Sequence, residues 1–306
     1  MEIKSLPDVA QQRIPEFELA PPTLKWVGMS EVQMPVRWRG HQIPVALQAQ
    51  VNLKDGSKRG IHMSRLYQHL VQDLSTNELS WSGLHGLAQK FVVSQEGLSD
   101  CSRLQIQMQW PRLRSALKSE LSGWRLYPVE MEVETGPGLD LAHLSVEILY
   151  SSTCPASSAL SREVWKEDFS KKFQPSSSLS SSAVLGWIDS HSGMPAAPHA
   201  QRSRARVRVS FPVGSGCPEI SADQLIDSLE QILTTPVQTA VKRVDEQEFA
   251  RLNGQNPMFC EDAARRVQGW LESCKFLSGY HGLFEHQESL HPHNAVAEIE
   301  SGPRRS

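Results

Sequence analysis

Runs of alternating apolar and polar residues restrict this chain, more than any other feature, to a fold built on β-sheet. The clearest are residues 44–53 (PVALQAQVNL), 103–110 (RLQIQMQW), 124–134 (WRLYPVEMEVE) and 204–211 (RARVRVSF). Alternation with a period of two places apolar side chains on one face of a strand and polar side chains on the other. The pattern therefore predicts half-buried antiparallel strands.

Helical periodicity separates these strands. It predicts helices over 64–74, 81–92, 221–233 and 257–275, the third capped by Ser221. Further short strands are predicted over 141–150, 237–244, 282–288 and 295–299. Each half of the chain then contains strands and a helix pair, which favours tandem copies of one α+β module.

The expected organisation has three parts. Residues 1–40 are predicted to be an irregular lead-in, 41–150 a first module and 151–306 a second module. The serine run within 175–184 is predicted to be a flexible surface loop of the second module.

Composition excludes several classes of function. The 34 acidic residues outnumber the 31 basic ones, which gives a formal net charge of −3. The sequence also lacks a dense cluster of Lys and Arg, so nucleic-acid binding is not expected. No apolar segment has the length of a signal peptide core or of a membrane span, so no membrane association is expected. The five cysteines include no C-x-x-C pair, which favours free thiols in the cytoplasm.

Cys154 is the first residue whose position predicts chemistry. Pro155 follows it at the expected first position of a helix, so Cys154 would lie at the helix N-terminus. The positive end of the helix dipole favours a thiolate there, which is both a nucleophile and a metal ligand. The alternative is a small buried apolar residue.

A second group of candidates lies near the C-terminus. In an extended segment, His291 and His293 would share one face, and Glu288 would join them if the chain bends at 289–290. Two imidazoles aimed together can serve as a ligand and a proton carrier, although surface histidines are also common near chain ends. Glu246, at the end of a predicted strand, and Glu261, at a helix start, have equally simple structural explanations.

Six ordered clusters together resemble GTP cyclohydrolase I of type IB over residues about 45–296. They are GIHMSRL, Y-S-S-T-C-P-x-S, PHAQRS, KRxDE, N-P-x-F-x-E-D and E-S-L-H-x-H. The resemblance implies the tunnelling fold, in which two modules per chain each place paired helices on one side of a four-stranded antiparallel sheet. It also implies a homotetramer with sites at subunit interfaces.

The resemblance also implies roles for individual residues. The implied ligands of a divalent metal (Zn²⁺, Mn²⁺ or Fe²⁺) are Cys154, His199, Glu246 and His291. The guanine anchor is Glu261, and the further catalytic residues are Glu288 and His293, beside Cys154 itself. The expected additional contacts to GTP are His62, Arg65 and Arg202, with Arg243 as another base for the triphosphate.

Two departures from the family pattern concern the metal site. Ala156 stands where the family commonly has a second cysteine, but the implied ligand Cys154 is present. The serine run lengthens the connection between Cys154 and His199, which leaves His191 as a competing ligand.

The implied reaction converts GTP and water into 7,8-dihydroneopterin triphosphate and formate, the first step of tetrahydrofolate and pterin biosynthesis. Two alternatives remain open from the sequence. One is an oxidoreductase of the 7-cyano-7-deazaguanine reductase kind, which has the same fold. The other is a purine-binding module of that fold without catalytic activity.

Overall fold

One antiparallel sheet organises the molecule. The structure, a computed structural model, describes residues 8–13, 21–174 and 178–302. In this part of the chain eight strands pair in sequence order. They are β1 (Leu24–Trp38), β2 (His41–Leu53), β3 (Ser102–Ser115), β4 (Ser122–Gly136), β5 (Leu139–Thr153), β6 (Ala200–Pro212), β7 (Gly279–His286) and β8 (Ala295–Ser301).

Seven α-helices connect the strands of the described chain. They are α1 (Met63–Leu74), α2 (Trp81–Ser94), α3 (Pro155–Lys172), α4 (Ser181–Ile188), α5 (Ala222–Leu233), α6 (Arg243–Gln255) and α7 (Cys260–Ser273). In none of them is the described sequence both long enough and apolar enough to cross a membrane.

The core lies between the sheet and the helices. Alternate residues of β2, such as Val45, Leu47 and Val51, are buried, while the residues between them are partly exposed. Helix α5 adds Leu225 and Leu229 to the same core. The alternation seen in the sequence therefore corresponds to one helix-covered face and one polar face.

The predicted α+β class is confirmed, but three local predictions are wrong. Residues 24–38 of the predicted irregular lead-in form β1. Residues 237–242 are not a strand, and helix α6 begins at Arg243. Residues 181–184 of the predicted serine-rich loop begin helix α4, capped by Ser180, whose hydroxyl accepts from the Ala183 N–H. Residues 1–7, 14–20 and 175–177 lie outside the described chain.

The order of elements is repeated on either side of the turn at residues 137–138. Before it lie β1, β2, α1, α2, β3 and β4; after it lie β5, β6, α5, α7, β7 and β8, with α3, α4 and α6 inserted. The predicted boundary between residues 150 and 151 falls inside β5. Both halves contribute to a single sheet, and their division into two modules stays a prediction.

A long hairpin formed by β3 and β4 fixes the position of two helices. Its Arg112 and Arg125 pair with Asp223 and Glu230 of α5. At its tip, the backbone N–H groups of residues 118 and 119 donate to Asp245 at 2.7 and 2.8 Å. Asp245 also accepts from the Lys242 N–H at 2.8 Å and so caps α6.

Candidate active site

The pairing of β5 with β6 brings Cys154 and His199 together. Thr153 pairs with Ala200, and the Cys154 N–H donates to the His199 carbonyl at 3.2 Å. The His199 N–H in turn donates to Ser157 Oγ at 3.1 Å. Cys154 is the N-cap of α3, where its Sγ accepts from the Ser157 N–H at 3.4 Å. The predicted position at a helix N-terminus is confirmed.

A chain of side-chain hydrogen bonds links His199 to Glu288. His199 Nδ1 lies 2.9 Å from Gln201 Oε1, and Gln201 Nε2 donates to Glu288 Oε1 at 3.0 Å. The Ser289 hydroxyl lies 3.4 Å from the same Nδ1. The sequence did not indicate Gln201 as a functional candidate, although it belongs to the PHAQRS cluster. It lies two positions after His199, at the start of β6.

Glu246 lies in the first turn of α6 and not at the end of a strand. It is exposed and lines a cleft of about 480 Å³ together with Gln201, Arg202 and Tyr150. Asp245, beside it, is fully buried. Hydrogen bonds from Ser119, and from the backbone of 118, 119 and 242, hold the pKa of Asp245 well below its usual range. A permanently charged, fixed carboxylate thus anchors the turn that carries Glu246.

Glu261 lies in the first turn of α7, as predicted. The Met258 N–H donates to the Thr153 carbonyl at 2.9 Å, which brings this helix start to the end of β5. The Glu261 carboxylate accepts from its own backbone N–H and from the Cys260 thiol at 3.2 Å, and these bonds lower its pKa. Burial, and then the bond to Glu261, raise the pKa of Cys260 to about 11, so this thiol stays protonated.

A buried histidine lies beside Glu261. His286, at the end of β7, is 2% exposed, and its Nε2 is 3.0 Å from the Tyr150 hydroxyl. Burial lowers the pKa of His286 to about 4, although the charges of Glu261 and Asp262 act in the opposite direction. Burial also raises the pKa of Tyr150. Both side chains are therefore neutral near pH 7.

His291 and His293 lie in the exposed segment between β7 and β8. Their rings stack with centroids 5.0 Å apart and an interplanar angle of 10°. The two imidazoles are thus adjacent, but the segment bends and is not a continuous strand. Ser289, which contacts His199, connects this segment to the Cys154 region.

Two of the predicted GTP contacts lie in a different part of the chain. His62 and Arg65, at the start of α1, contact Asp8, Gln95 and the Ser94 carbonyl. None of these contacts reaches Cys154 or His199 within the described residues. Arg202 lines the 480 Å³ cleft, and its carbonyl accepts from the Gln287 N–H. His191 lies in a separate helical turn, His191–Gly193.

Within one chain, the ligand atoms of the four implied metal ligands do not lie close enough together to coordinate one ion. Across residues 8–13, 21–174 and 178–302, the one group of three or more potential ligands with atoms within 4.8 Å of one another is Glu132, Glu134 and His143. That group could hold a metal ion, but the Arg208 guanidinium already lies 3.3 Å from Glu132. A larger cavity, of about 880 Å³ across β1 to β6, contains none of the predicted site residues.

Solved structures establish the class of the fold. A uricase from Arthrobacter globiformis matches with a TM-score of 0.50 over 95% of this chain and 97% of its own, at 9% identity. At that identity the likeness concerns the fold alone, and it places the chain among tunnelling-fold proteins, as the sequence predicted.

Sequence comparison then identifies the family. The family model for type I GTP cyclohydrolase FolE2 matches residues 6–297. A GTP cyclohydrolase FolE2 from Bdellovibrio bacteriovorus is 43% identical over 99% of this chain and 98% of its own length. Another from Pseudoalteromonas translucida is 41% identical over 95% and 96%. The chain belongs to the type I GTP cyclohydrolase FolE2 family and is a GTP cyclohydrolase.

Proposed function

We propose that this GTP cyclohydrolase opens the guanine ring of GTP at a site centred on Cys154 and His199, forming 7,8-dihydroneopterin triphosphate and formate. One observation carries the placement of the site: the β5–β6 pairing holds these two residues together, and hydrogen bonds continue from His199 to Glu288. A cysteine, a histidine and a glutamate therefore lie near one another at the adjoining ends of β5, β6 and β7.

The donor set fits a divalent metal. Cys154 offers a soft sulfur at a helix N-terminus, His199 an imidazole, and Glu246 and His291 would complete a mixed ligand set. Zn²⁺ suits the thiolate and imidazoles, and Mn²⁺ or Fe²⁺ also accepts the carboxylate. The bound ion would act as a Lewis acid that activates water for addition at C8 of guanine.

Glu261 is proposed to anchor the guanine base. A carboxylate matches the pair of donors formed by the N1–H and the 2-amino group. The bond from the Cys260 thiol at 3.2 Å and the low pKa keep Glu261 ionised and therefore able only to accept. An exposed position at the first turn of α7 leaves it accessible to the base.

Glu288 and His293 are proposed to transfer protons as the imidazole ring opens and formate leaves. Glu288 is oriented by Gln201, and His293 stacks on His291. Arg202, in the cleft beside Glu246, is the proposed base for the triphosphate nearest the site. His62 and Arg65 would contact GTP from another part of the assembly, and Arg243, in the first turn of α6 with Glu246, is a further proposed base for the triphosphate.

A homotetramer with sites at subunit interfaces is proposed for two reasons. The implied ligands do not converge within one chain, and among the described strands β1 and β8 each have a neighbour on one side only. Unpaired backbone groups at such edges favour strand pairing with another copy. The cytoplasm is the proposed location, because Cys101, Cys154, Cys217, Cys260 and Cys274 are all free thiols.

Metal analysis combined with a GTP assay tests the proposal. Cys154→Ala should abolish both stoichiometric metal and the fluorescent pterin that forms on oxidation of the product. Glu261→Gln should retain the metal and lose GTP recognition. Full turnover by Cys154→Ala would refute the ligand assignment, and GTP binding without formate release by the wild-type protein would indicate a non-catalytic purine-binding module.

A further inference from the structure

Gln201 lies between two of the proposed active-site residues and is not itself one of them. Its side chain bridges His199 and Glu288, and it is only 7% exposed, so bulk water does not replace it easily. We propose that Gln201 is a positioning residue. By binding Nδ1 of His199 it leaves the Nε2 atom of that ring free for a metal, and by binding Glu288 it holds this carboxylate near His199. This inference rests on the proposed roles of His199 and Glu288.

The carboxylate determines the orientation of the Gln201 amide. A carboxylate can only accept hydrogen bonds, so the amide NH₂ must face Glu288 Oε1, which lies 3.0 Å from Nε2. The amide oxygen then faces His199. The reversed amide would place two acceptors against each other at Glu288 and is therefore disfavoured.

The amide in turn determines the tautomer of His199. A carbonyl oxygen 2.9 Å from Nδ1 can only accept, so Nδ1 carries the proton. In a neutral imidazole the lone pair then resides on Nε2, which is the form that ligates a metal. The Ser289 hydroxyl near Nδ1 can donate or accept, and so does not oppose this assignment.

The backbone of His199 is held by hydrogen bonds, so the contact with Gln201 determines the orientation of the ring. Its N–H and carbonyl are bound to Ser157 and Cys154. Rotation about the side-chain bonds is the remaining freedom, and the bond from Nδ1 to Gln201 restricts it. Ring orientation and tautomer thus depend on the same contact.

Two substitutions separate the two contacts. Gln201→Glu retains an acceptor for His199 but replaces the donor to Glu288 with a like charge. Gln201→Met removes both contacts at similar volume. A matched control is Gln107→Met on β3, where an exposed glutamine donates to the carboxylate of Glu130 at 3.1 Å.

The first measurement is nitrogen-15 NMR of the histidines in the metal-free full-length protein, with His199 assigned from the spectrum of His199→Gln. The wild type and Gln201→Glu should show a proton on Nδ1 of His199, and Gln201→Met should lose this preference. The second measurement is the Zn²⁺ affinity in competition with a chelating dye. Gln201→Met should bind about 10–100-fold more weakly, the range typical of lost partners to metal-bound histidines.

The third measurement is the kinetic effect on GTP. Gln201→Glu should keep its Zn²⁺ affinity and lose about 10-fold or more in kcat with little change in KM, because Glu288 is displaced. Gln107→Met should match the wild type in all three measurements.

A proton on Nε2 of His199 in the wild type would overturn the inference. Wild-type tautomer and Zn²⁺ affinity in a folded Gln201→Met would do so as well. Failure of the proposed function gives a different pattern: His199 keeps its Nδ1 proton, but His199→Gln changes neither Zn²⁺ binding nor GTP turnover.

Discussion

The buried histidine beside the site makes the stability of the protein depend on pH between about pH 7 and pH 4. His286 is 2% exposed, and its pKa is lowered to about 4 from an ordinary value of 6.5. Because folding lowers the pKa of this base, the unfolded chain binds more protons than the folded one between those values. Stability is therefore complete above about pH 7 and declines as the pH falls towards 4.

The magnitude follows from the two pKa values. Between pH 7 and pH 5 the folded protein should lose about 2 kcal/mol of unfolding free energy through His286 alone. The carboxylate Asp245, whose pKa is lowered by its hydrogen bonds, contributes a loss only near and below its ordinary value of 3.8. The interval from pH 7 to pH 5 therefore lies above the loss from Asp245, and comparison with a variant that lacks His286 isolates the contribution of this histidine.

The perturbation is His286→Gln, which keeps a hydrogen-bonding group for the Tyr150 hydroxyl but does not titrate. Urea unfolding, followed by tryptophan fluorescence at one fixed chain concentration, gives the free energy at each pH. The variant should lose about 2 kcal/mol less than the wild type between pH 7 and pH 5. His281→Gln, on the same strand with a side chain 44% exposed, is the matched control and should retain the wild-type drop. An undiminished drop in His286→Gln would refute the reasoning.

Three other substitutions test the packing that supports the site. Tyr127→Phe removes a hydroxyl that donates to Glu230 at 2.6 Å, and should lower the unfolding free energy by about 1.5–3 kcal/mol in urea titration; no change would mean that the pair is not formed. Gly123→Ala would place a Cβ 2.8 Å from Thr239, so thermal unfolding should show a loss of about 1–3 kcal/mol, and an unchanged melting temperature would contradict the close contact. Gly86→Ala meets open space within α2 and should instead stabilise the protein by about 0.5–1 kcal/mol in the same assay, with destabilisation as the contrary result.

The strands were predictable where burial differs between the two faces. In β2 and β6, apolar and polar residues alternate because helices cover one face of each strand and leave the other face partly exposed. β1 was missed because it is an edge strand with weak burial and two register shifts, so its sequence alternates poorly. Helix α4 was missed because its stability comes from Trp187, which packs on Trp165 across a serine-rich connection.

Helix α6 was missed for a reason that no local pattern contains. Its start is fixed by Asp245, which accepts hydrogen bonds from the tip of the β3–β4 hairpin, far away in the sequence. Glu246 was consequently placed on a strand, although its chemical role was inferred from the neighbouring residues. The candidate residues could be named from motifs, but their supporting contacts are long-range and could not.

The same limit explains why Gln201 emerged only from the structure. Its role requires that β5 and β6 pair in the observed register, which runs from Leu141 opposite Pro212 to Thr153 opposite Ala200. A slip of one residue would move Gln201 from the helix-covered face to the polar face and separate it from Glu288. The buried residues that alternate along β6, among them Val207 and Phe211, oppose such a slip, since it would expose all of them together. The hydrophobic pattern that first predicted the sheet therefore also fixes the geometry of the proposed site.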